Sequence, residues 1–341
     1  MPKSPFLLPK MENIRELSRI LIAPLDWGLG HATRCIPVIC ALKEAGHEVF
    51  LAASGPQETL FRQVFPNLPI LPIPGYEVRY GRTARQTTWQ LVKQLPKIRR
   101  RIKNETKWLA DYQQKYHFDV VVSDNRFGLH HPDIHCIFIT HQLYIIHPWG
   151  NWASQILQKW NYKQIEKFNA CWIPDYKEAP GLAGKLSHPS VLPNIPVEYI
   201  GPLSRLHKSE TPIKKGHLFI SISGPEPQRS MMEDIVLQKI AHYNGSACIV
   251  RGLPGERNQI PGTNSIEVVN HLDAGQYAEQ MAKAEKVICR SGYSTIMDLE
   301  RMQKEKVFLI PTGGQTEQEY LAQHLKQFKG WQTGNLASLQ F

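Results

Sequence analysis

Long uncharged apolar runs are missing from this sequence. Ile134–Gln158 carries no formal charge, but it holds His135, His141, His147, Pro148 and Asn151, so it reads as a buried strand plus loop rather than a membrane span. Near the start, Phe6-Leu7-Leu8 is too short an apolar core for a secretory leader before Pro9 and Lys10 interrupt it. None of the six cysteines pairs as Cys-x-x-Cys, which excludes a zinc ribbon. Cys136, Cys248 and Cys289 lie in apolar runs, where a thiol packs as a small hydrophobe. The 25 prolines are dispersed, which excludes a low-complexity chain. These absences predict a soluble protein of a reducing compartment, the cytoplasm.

What is present is enough for a sizeable core: 341 residues, 42% hydrophobic and 21% charged, about two domains at ~150 residues each. Nearly all of the formal +10 sits between Arg79 and Lys107, where ten basic residues face Glu105 alone. Such a segment is a solvated helix face, a docking surface for anionic lipid or a phosphate-bearing acceptor, or a nucleic-acid contact. Trp89, Leu91 and Val92 beside the charges favour the membrane-edge or acceptor reading, and nucleic acid comes last because no binding module accompanies the segment. His130, His131, His135, His141 and His147 are numerous but badly spaced for a metal, since Pro132 interrupts the only i, i+4 pair. No metal site or cofactor is predicted. The eight tryptophans recur at no fixed spacing and read as packing residues.

Strand-length apolar runs alternate with helix-period segments, the pattern of parallel α/β architecture. Strands are predicted at 19–25, 48–53, 119–123, 135–140 and 170–173, then at 217–223, 246–250, 265–269, 286–289 and 306–310. Helices are predicted at 32–45, after Pro96, and at 230–242, 273–284, 295–302 and 316–326. The Gly-, Pro- and Ser-rich stretch from Pro180 to Pro212 reads as the crossing between domains. The expected layout is an extension at 1–18, a first Rossmann-like domain at 19–195, a linker at 196–212 and a second Rossmann-like domain at 213–341, the two facing a cleft. In such sheets ligands bind beyond the carboxyl ends of the strands.

Two constellations fall at such ends. Asp26-Trp27-Gly28-Leu29-Gly30-His31 joins the first strand to its helix, and its glycines allow a tight turn beside a helix N-terminus. A nicotinamide fingerprint would need an acidic residue closing the second strand, which here ends Leu51-Ala52-Ala53-Ser54. His31 lies in the first helical turn, where the helix dipole and Arg34 disfavour the imidazolium. A neutral ring suits a general base, and a His capping the turn is the bland reading. Asp124, just past a strand, is a second base, a partner orienting His31, or a turn aspartate. The other constellation is Arg290-Ser291-Gly292-Tyr293-Ser294-Thr295, then Asp298, then Pro311-Thr312-Gly313-Gly314-Gln315-Thr316-Glu317-Gln318-Glu319-Tyr320. Backbone amides there can hold a diphosphate, and a carboxylate one turn on can accept two hydrogen bonds from a ribose diol.

With Gly30-His31 at the first strand–helix turn, this pair of segments resembles the GT-B glycosyltransferases. It is most similar to the family of the lipid II-forming peptidoglycan N-acetylglucosaminyltransferase, best over residues 286–322. The resemblance implies an inverting transfer from a UDP-sugar, with UDP-N-acetylglucosamine as first candidate, to a hydroxyl of a glycan or lipid-linked cell-envelope acceptor, at the inner face of the membrane. It implies donor contacts at Ser291, Gly292 and Asp298, where the family carries Glu. Further donor contacts are implied at Gln315 and at Gln318 and Glu319, where the family has two amides. Leu272 falls at the base-binding edge, and Arg205 matches a diphosphate-contacting arginine. Gly28, Gly30, His141 and Gln142 fall on the acceptor side. The phosphate turn departs from the family: Ser223-Gly224-Pro225-Glu226-Pro227-Gln228 loses two amide donors and places Glu226 where it would repel a diphosphate if turned inward. The C-terminal helices of the family are expected to be missing or short after Thr316. The chain has no Asp-x-Asp, the pair a metal-dependent transferase would use, so Arg205 and helix N-termini are left to hold the leaving group. Two alternatives remain at this level, a sugar-nucleotide epimerase of the same fold and a non-catalytic basic protein that binds lipid surfaces or nucleic acid on a decayed transferase fold.

Overall fold

The computed structural model describes residues 17–78, 81 and 84–341. Phe6-Leu7-Leu8, Arg79 and Arg82 therefore lie outside the described residues, as do the side chains of Arg85, Trp89, Leu91 and Val92. The chain forms two compact units, Met1–Val78 with Lys93–Leu203, and Arg79–Val92 with Ser204–Phe341.

The first unit carries seven strands: β1 Arg19–Pro24, β2 Glu48–Ala53, β3 Ile70–Pro72, β4 Val120–Asp124, β5 His135–Ile139, β6 Ala170–Ile173 and β7 Val197–Tyr199. All pair in parallel in the order β3-β2-β1-β4-β5-β6-β7. Central strands such as Ile20–Ala23 and Val120–Val122 are buried at every position, as helices on both faces of a parallel sheet demand. The helices are α1 Leu29–Glu44, α2 Pro56–Val64, α3 Ala84–Tyr116, which belongs to this unit from Lys93 on, and α4 Asn151–Ile165. Strand order reverses between β1 and β4, and α/β sheets bind ligands at such a switch point.

Two features of this unit differ from the sequence reading. Helix α3 begins at Ala84 and carries Pro96 within it, rather than starting after it. Helix α4 occupies part of the stretch read as loop. Its buried face is Ala153, Ser154, Asn161 and Ile165, while Trp152 and Ile156 are 61% and 59% exposed, so the apolar period that would announce a helix is inverted. On α3, Leu109 is buried and Trp108 stacks on Tyr112 (centroids 4.3 Å apart), whereas Arg99, Arg100, Lys103 and Lys107 are exposed.

The second unit repeats the plan with β8 Lys214–Ser221, β9 Ser246–Val250, β10 Ile266–Val269, β11 Ala284–Arg290, β12 Val307–Ile310 and β13 Trp331–Thr333. They pair in parallel as β10-β9-β8-β11-β12-β13, with the switch point between β8 and β11. Helices α5 Gln228–Ile240, α6 Ala274–Lys283, α7 Tyr293–Arg301 and α8 Thr316–His324 connect them. After α8 the chain returns as β13, and Lys239 holds the following segment by donating to the carbonyls of Ala337 (2.8 Å) and Leu339 (2.9 Å). No helix among the described residues is long and apolar enough to cross a membrane.

One buried carboxylate organises a loop beneath the first unit's strand ends. Asp175 accepts the amides of Tyr176 (2.8 Å), Leu182 (2.8 Å) and Ala183 (2.9 Å) and the hydroxyl of Ser187 (2.6 Å). This shapes the loop so that the Leu186 carbonyl receives the amides of Leu143 and Tyr144, which anchors the segment leaving β5. Gly181 sits at φ 59° against the carboxylate, and a Cβ there would lie 2.6 Å from Oδ2. Asp175→Ala strands several buried donors and is expected to cost roughly 3 kcal/mol of stability, read as a lowered urea midpoint. A midpoint within experimental error of the parent would remove this role.

Candidate active site

Three neighbouring strands of the first unit end at one level. Register pairs Pro24 with Asp124 and Asp124 with Ile139, so the residues following β1, β4 and β5 converge. The turn after β1 uses Gly28 at φ 109°, a conformation that costs a side-chain-bearing residue dearly, and its carbonyl is held by Gln57 Nε2 (2.9 Å). This starts α1 at Leu29 and places His31 and Arg34 one turn apart over the end of β4. Gly30 is part of the same turn, and its carbonyl accepts the Thr33 hydroxyl.

Asp124 closes β4 with none of its surface exposed. Arg34 grips it from two sides: Nε donates to Oδ2 at 2.6 Å, and NH2 donates to Oδ1. His31 Nδ1 lies 3.1 Å from Asp124 Oδ1 and 2.9 Å from Arg34 NH2, and His141 Nδ1 lies 3.2 Å from Arg34 NH1. Burial alone would raise the Asp124 carboxyl, but the Arg34 guanidinium and His31 hold it well below the usual carboxylate range. Burial lowers His31. Asp124 pulls it up and Arg34 pushes it down, for a net fall. The His31 side chain is 17% exposed, and its Nε2 has no hydrogen-bond partner among the described residues. The structure thus brings together His31, Asp124 and His141, the last 3% exposed. Gln142 is tied by its amide to Thr140 Oγ1 (3.0 Å) and by its carbonyl to Asn161 Nδ2 (2.9 Å).

The second unit gathers another set. Asp298, on α7, accepts the Ser204 hydroxyl at 2.5 Å. Next to Ser204, the Arg205 guanidinium lies over the Tyr277 ring, 5.6 Å from its centroid, and its buried Nε has no hydrogen-bond partner among the described residues. Tyr277 in turn donates to Ser221 Oγ (2.8 Å) at the end of β8. Burial lifts the Asp298 carboxyl to about 6, against the Ser204 hydrogen bond and the nearby Arg205. Burial and then Arg205 push His271 down to about 4. Leu272 beside it is 8% exposed.

Ser291 is fully buried and donates to the Gln318 carbonyl (2.8 Å). Gln318 itself is a strut of its loop: its Oε1 accepts the Thr312 amide (2.9 Å) and its Nε2 donates to Gln315 Oε1 (2.5 Å). Glu319 accepts the Gly314 amide (2.8 Å) from an exposed position. Gly292 precedes α7 at φ −72°, where any residue fits, and a Cβ would meet nothing within 4 Å. The fold therefore does not demand glycine there, whereas close approach of another molecule would. Glu226 folds back on the start of α5, accepting Arg229 Nε (2.6 Å) and the Ser230 amide (3.2 Å), where its charge favours the helix terminus.

Sequence reasoning gave no role to Arg290. It is 2% exposed, donates to the carbonyls of Pro311 (3.1 Å) and Gln228 (2.8 Å), and keeps a buried Nε without a partner among the described residues. Burial draws its pKa down to about 10. The one available signal was a charged residue closing an apolar strand. Among the described residues no group of three His, Cys, Asp or Glu side chains is placed to hold a metal.

Residues 255–336 match the glycosyltransferase family 28 C-terminal domain, a span that includes Leu272, Ser291, Gly292, Asp298, Gln315, Gln318 and Glu319. No curated protein matches the chain in sequence. Among solved structures, the chain is similar to the glycotransferase of kitacinnamycin, with TM-score 0.62 and 12% identity, over 96% of this chain and 88% of that one. It is similar to the spinosyn rhamnosyltransferase SpnG complexed with thymidine diphosphate (TM-score 0.56, 15% identity, 92% and 86% covered). It is also similar to MurG of Acinetobacter baumannii (TM-score 0.50, 11% identity, 95% and 87% covered). Two parallel sheets with alternating helices are the architecture these GT-B proteins share with the chain, and the matched domain and the fold support a glycosyltransferase.

The Ser204–Asp298 contact is testable without substrate. The hydroxyl favours the charged carboxylate, so Ser204→Ala is expected to move the Asp298 midpoint upward from about 6 in a carbon-13 NMR titration. A midpoint that stays put or falls would contradict the arrangement.

Proposed function

We propose that this chain is an inverting glycosyltransferase that moves a sugar from a nucleoside diphosphate to a hydroxyl acceptor, without a bound metal. The observation that carries the reading is His31: lowered in pKa, backed by a buried carboxylate, and open at Nε2 at the end of β1 beside the sheet's switch point. With Nδ1–H donated to Asp124, Nε2 holds the lone pair that takes the acceptor's proton. The acceptor oxygen then attacks the anomeric carbon opposite the leaving diphosphate, and configuration inverts. Asp124, buried and paired with Arg34, orients this base and is not itself the base.

In the second unit, Asp298 accepts hydrogen bonds from the ribose diol, and the backbone beside Leu272 meets the edge of the base. The Arg205 guanidinium and the amides opening α7 after Ser291-Gly292 neutralise the diphosphate, so the task of a metal falls to fixed donors. Gln315, Gln318 and Glu319 border the sugar. The family 28 match supports this assignment of the second unit as donor-binding, and the thymidine diphosphate bound to SpnG supports a nucleoside diphosphate ligand. We assign UDP, with N-acetylglucosamine as first candidate sugar, on the likeness of the Ser291–Glu319 segments to the peptidoglycan transferase family. The acceptor is a glycan or lipid-linked hydroxyl, approached on the side of Gly28, Gly30, His141 and Gln142. The exposed cations of α3 suit a contact with anionic headgroups.

The decisive assay supplies UDP- and TDP-sugars with and without acceptor and identifies products. Transfer or slow donor hydrolysis is expected, and sugar isomerisation without acceptor would favour an epimerase instead. His31→Ala is expected to lower turnover by about 10²–10⁴ while nucleotide affinity by calorimetry is unchanged. Undiminished turnover would remove His31 as base. A second expectation concerns pH. Ribose binding needs the Asp298 carboxylate, so donor affinity should weaken as pH falls through about 6, and Asp298→Asn should bind weakly at every pH with that dependence gone. The same pH dependence surviving in the Asn variant would exclude this role.

A further inference from the structure

His31 has a neighbour that a simple His–Asp pair lacks. A carboxylate 3.1 Å from an imidazole usually stabilises the imidazolium and raises the ring's pKa, which makes it a poorer base at neutral pH. Here the carboxylate is already engaged. Arg34 Nε and NH2 address both oxygens of Asp124, and the same NH2 stands 2.9 Å from His31 Nδ1. A guanidinium is a permanent cation, and this one is 2% exposed in a site where charges are poorly screened.

We propose that Arg34 is a positioning residue that lets burial keep His31 neutral: it offsets the charge of Asp124 and leaves the carboxylate free to orient the ring without protonating it. The inference deepens the reading of His31 as base and rests on it for its catalytic meaning, although the charge state of the ring is observable in the resting protein. Charged and titratable groups of three segments stand around the ring among the described residues. From α1 come Arg34 and the buried thiol of Cys35, whose Sγ lies 3.6 Å from Asp124 Oδ2; from β4 comes Asp124; and from the segment after β5 comes His141, 3.2 Å from Arg34 NH1. Burial pushes the Cys35 thiol up, so it stays uncharged and does not compete. Arg34 is therefore the cation that can cancel Asp124 without itself titrating.

The arrangement also constrains the tautomer. Arg34 can only donate, and so can Nδ1 when it carries the proton. The ring therefore either gives Nδ1–H to Asp124, with Nε2 free to accept, or takes a hydrogen bond from Arg34 at Nδ1 and carries its proton on Nε2. Two hydrogen bonds from Arg34 to the carboxylate hold the guanidinium against Asp124, which favours the first state.

The test is an NMR titration of the His31 ring, with nitrogen-15 shifts, in the full chain without substrate. In Arg34→Met and Arg34→Gln, the ring is the counter-ion left to Asp124 among the described residues, and the His31 midpoint is expected to rise by about one pH unit or more. Arg34→Lys keeps the charge and should stay near the parent value. A midpoint that is unchanged or lower in a folded neutral variant overturns the proposal, as does a parent ring whose proton sits on Nε2. Circular dichroism establishes folding. Should both neutral single variants fail to fold, Arg34→Met combined with Asp124→Leu removes both charges. The proposal then expects a midpoint close to the parent's, and a fall of about one unit or more would show that Asp124 had not been cancelled. Turnover against pH separates the two readings. If the ring midpoint rises while the acid limb of the rate profile does not follow, the inference about Arg34 stands and His31 fails as the base.

Discussion

A buried carboxylate clamped by an arginine is the interaction that sets the side chains gathered at the first unit's strand ends. Asp124 has no exposed surface, and a carboxylate there would be untenable without a partner. Arg34 supplies the charge and two donors, but it stands on α1 whereas Asp124 ends β4, so the pair ties the first helix to the strand across the switch point. His31 shares that helix and is carried into place by the same tie. Whatever positions the guanidinium therefore positions the imidazole.

The second unit has a clamp of its own, Glu233 gripped by Arg229 (2.5 Å) and Arg251 (3.0 Å), but two of its other cations stand outside any such pair. Arg205 and Arg290 are satisfied by an aromatic face or by backbone carbonyls and face no carboxylate in an ion pair among the described residues. A cation held this way keeps most of its field for an incoming anion, which suits a unit assigned to a diphosphate. Glu226, the residue that threatened this reading, is folded onto its own helix and bound to Arg229. Its charge is spent within α5. The two units thus share a sheet plan and each buries an arginine–carboxylate clamp, while Arg205 and Arg290 of the second enter no ion pair among the described residues.

Much of this was legible from local pattern. The ten principal strands were readable because parallel strands are buried on both faces and appear as uninterrupted apolar runs, as in Ile20–Ala23 or Val287–Cys289. What local pattern missed has a physical explanation in each case. Helix α4 hides small and polar residues and exposes Trp152 and Ile156, so its periodicity points the wrong way. Strands β3, β7 and β13 are three-residue edge or near-edge strands whose existence depends on pairing with a neighbour far along the chain. Helix α3 runs through Pro96 although proline ordinarily starts or ends a helix.

The site divides along the same line. Sequence alone determined that His31 follows a glycine turn at the head of a helix, that Asp124 closes a strand, and that Ser291-Gly292 and Asp298 open another helix, because each is a statement about a few adjacent residues and the strand–turn–helix rule. Only the tertiary structure decided that Arg34 and Asp124 meet across 90 positions, that His141 joins them, that Ser204 caps Asp298, and that Gln318 braces its own loop. Such pairings depend on strand order and register, which no short stretch of sequence encodes, and the lowered pKa of His31 follows from its burial and then from these partners rather than from the residue itself.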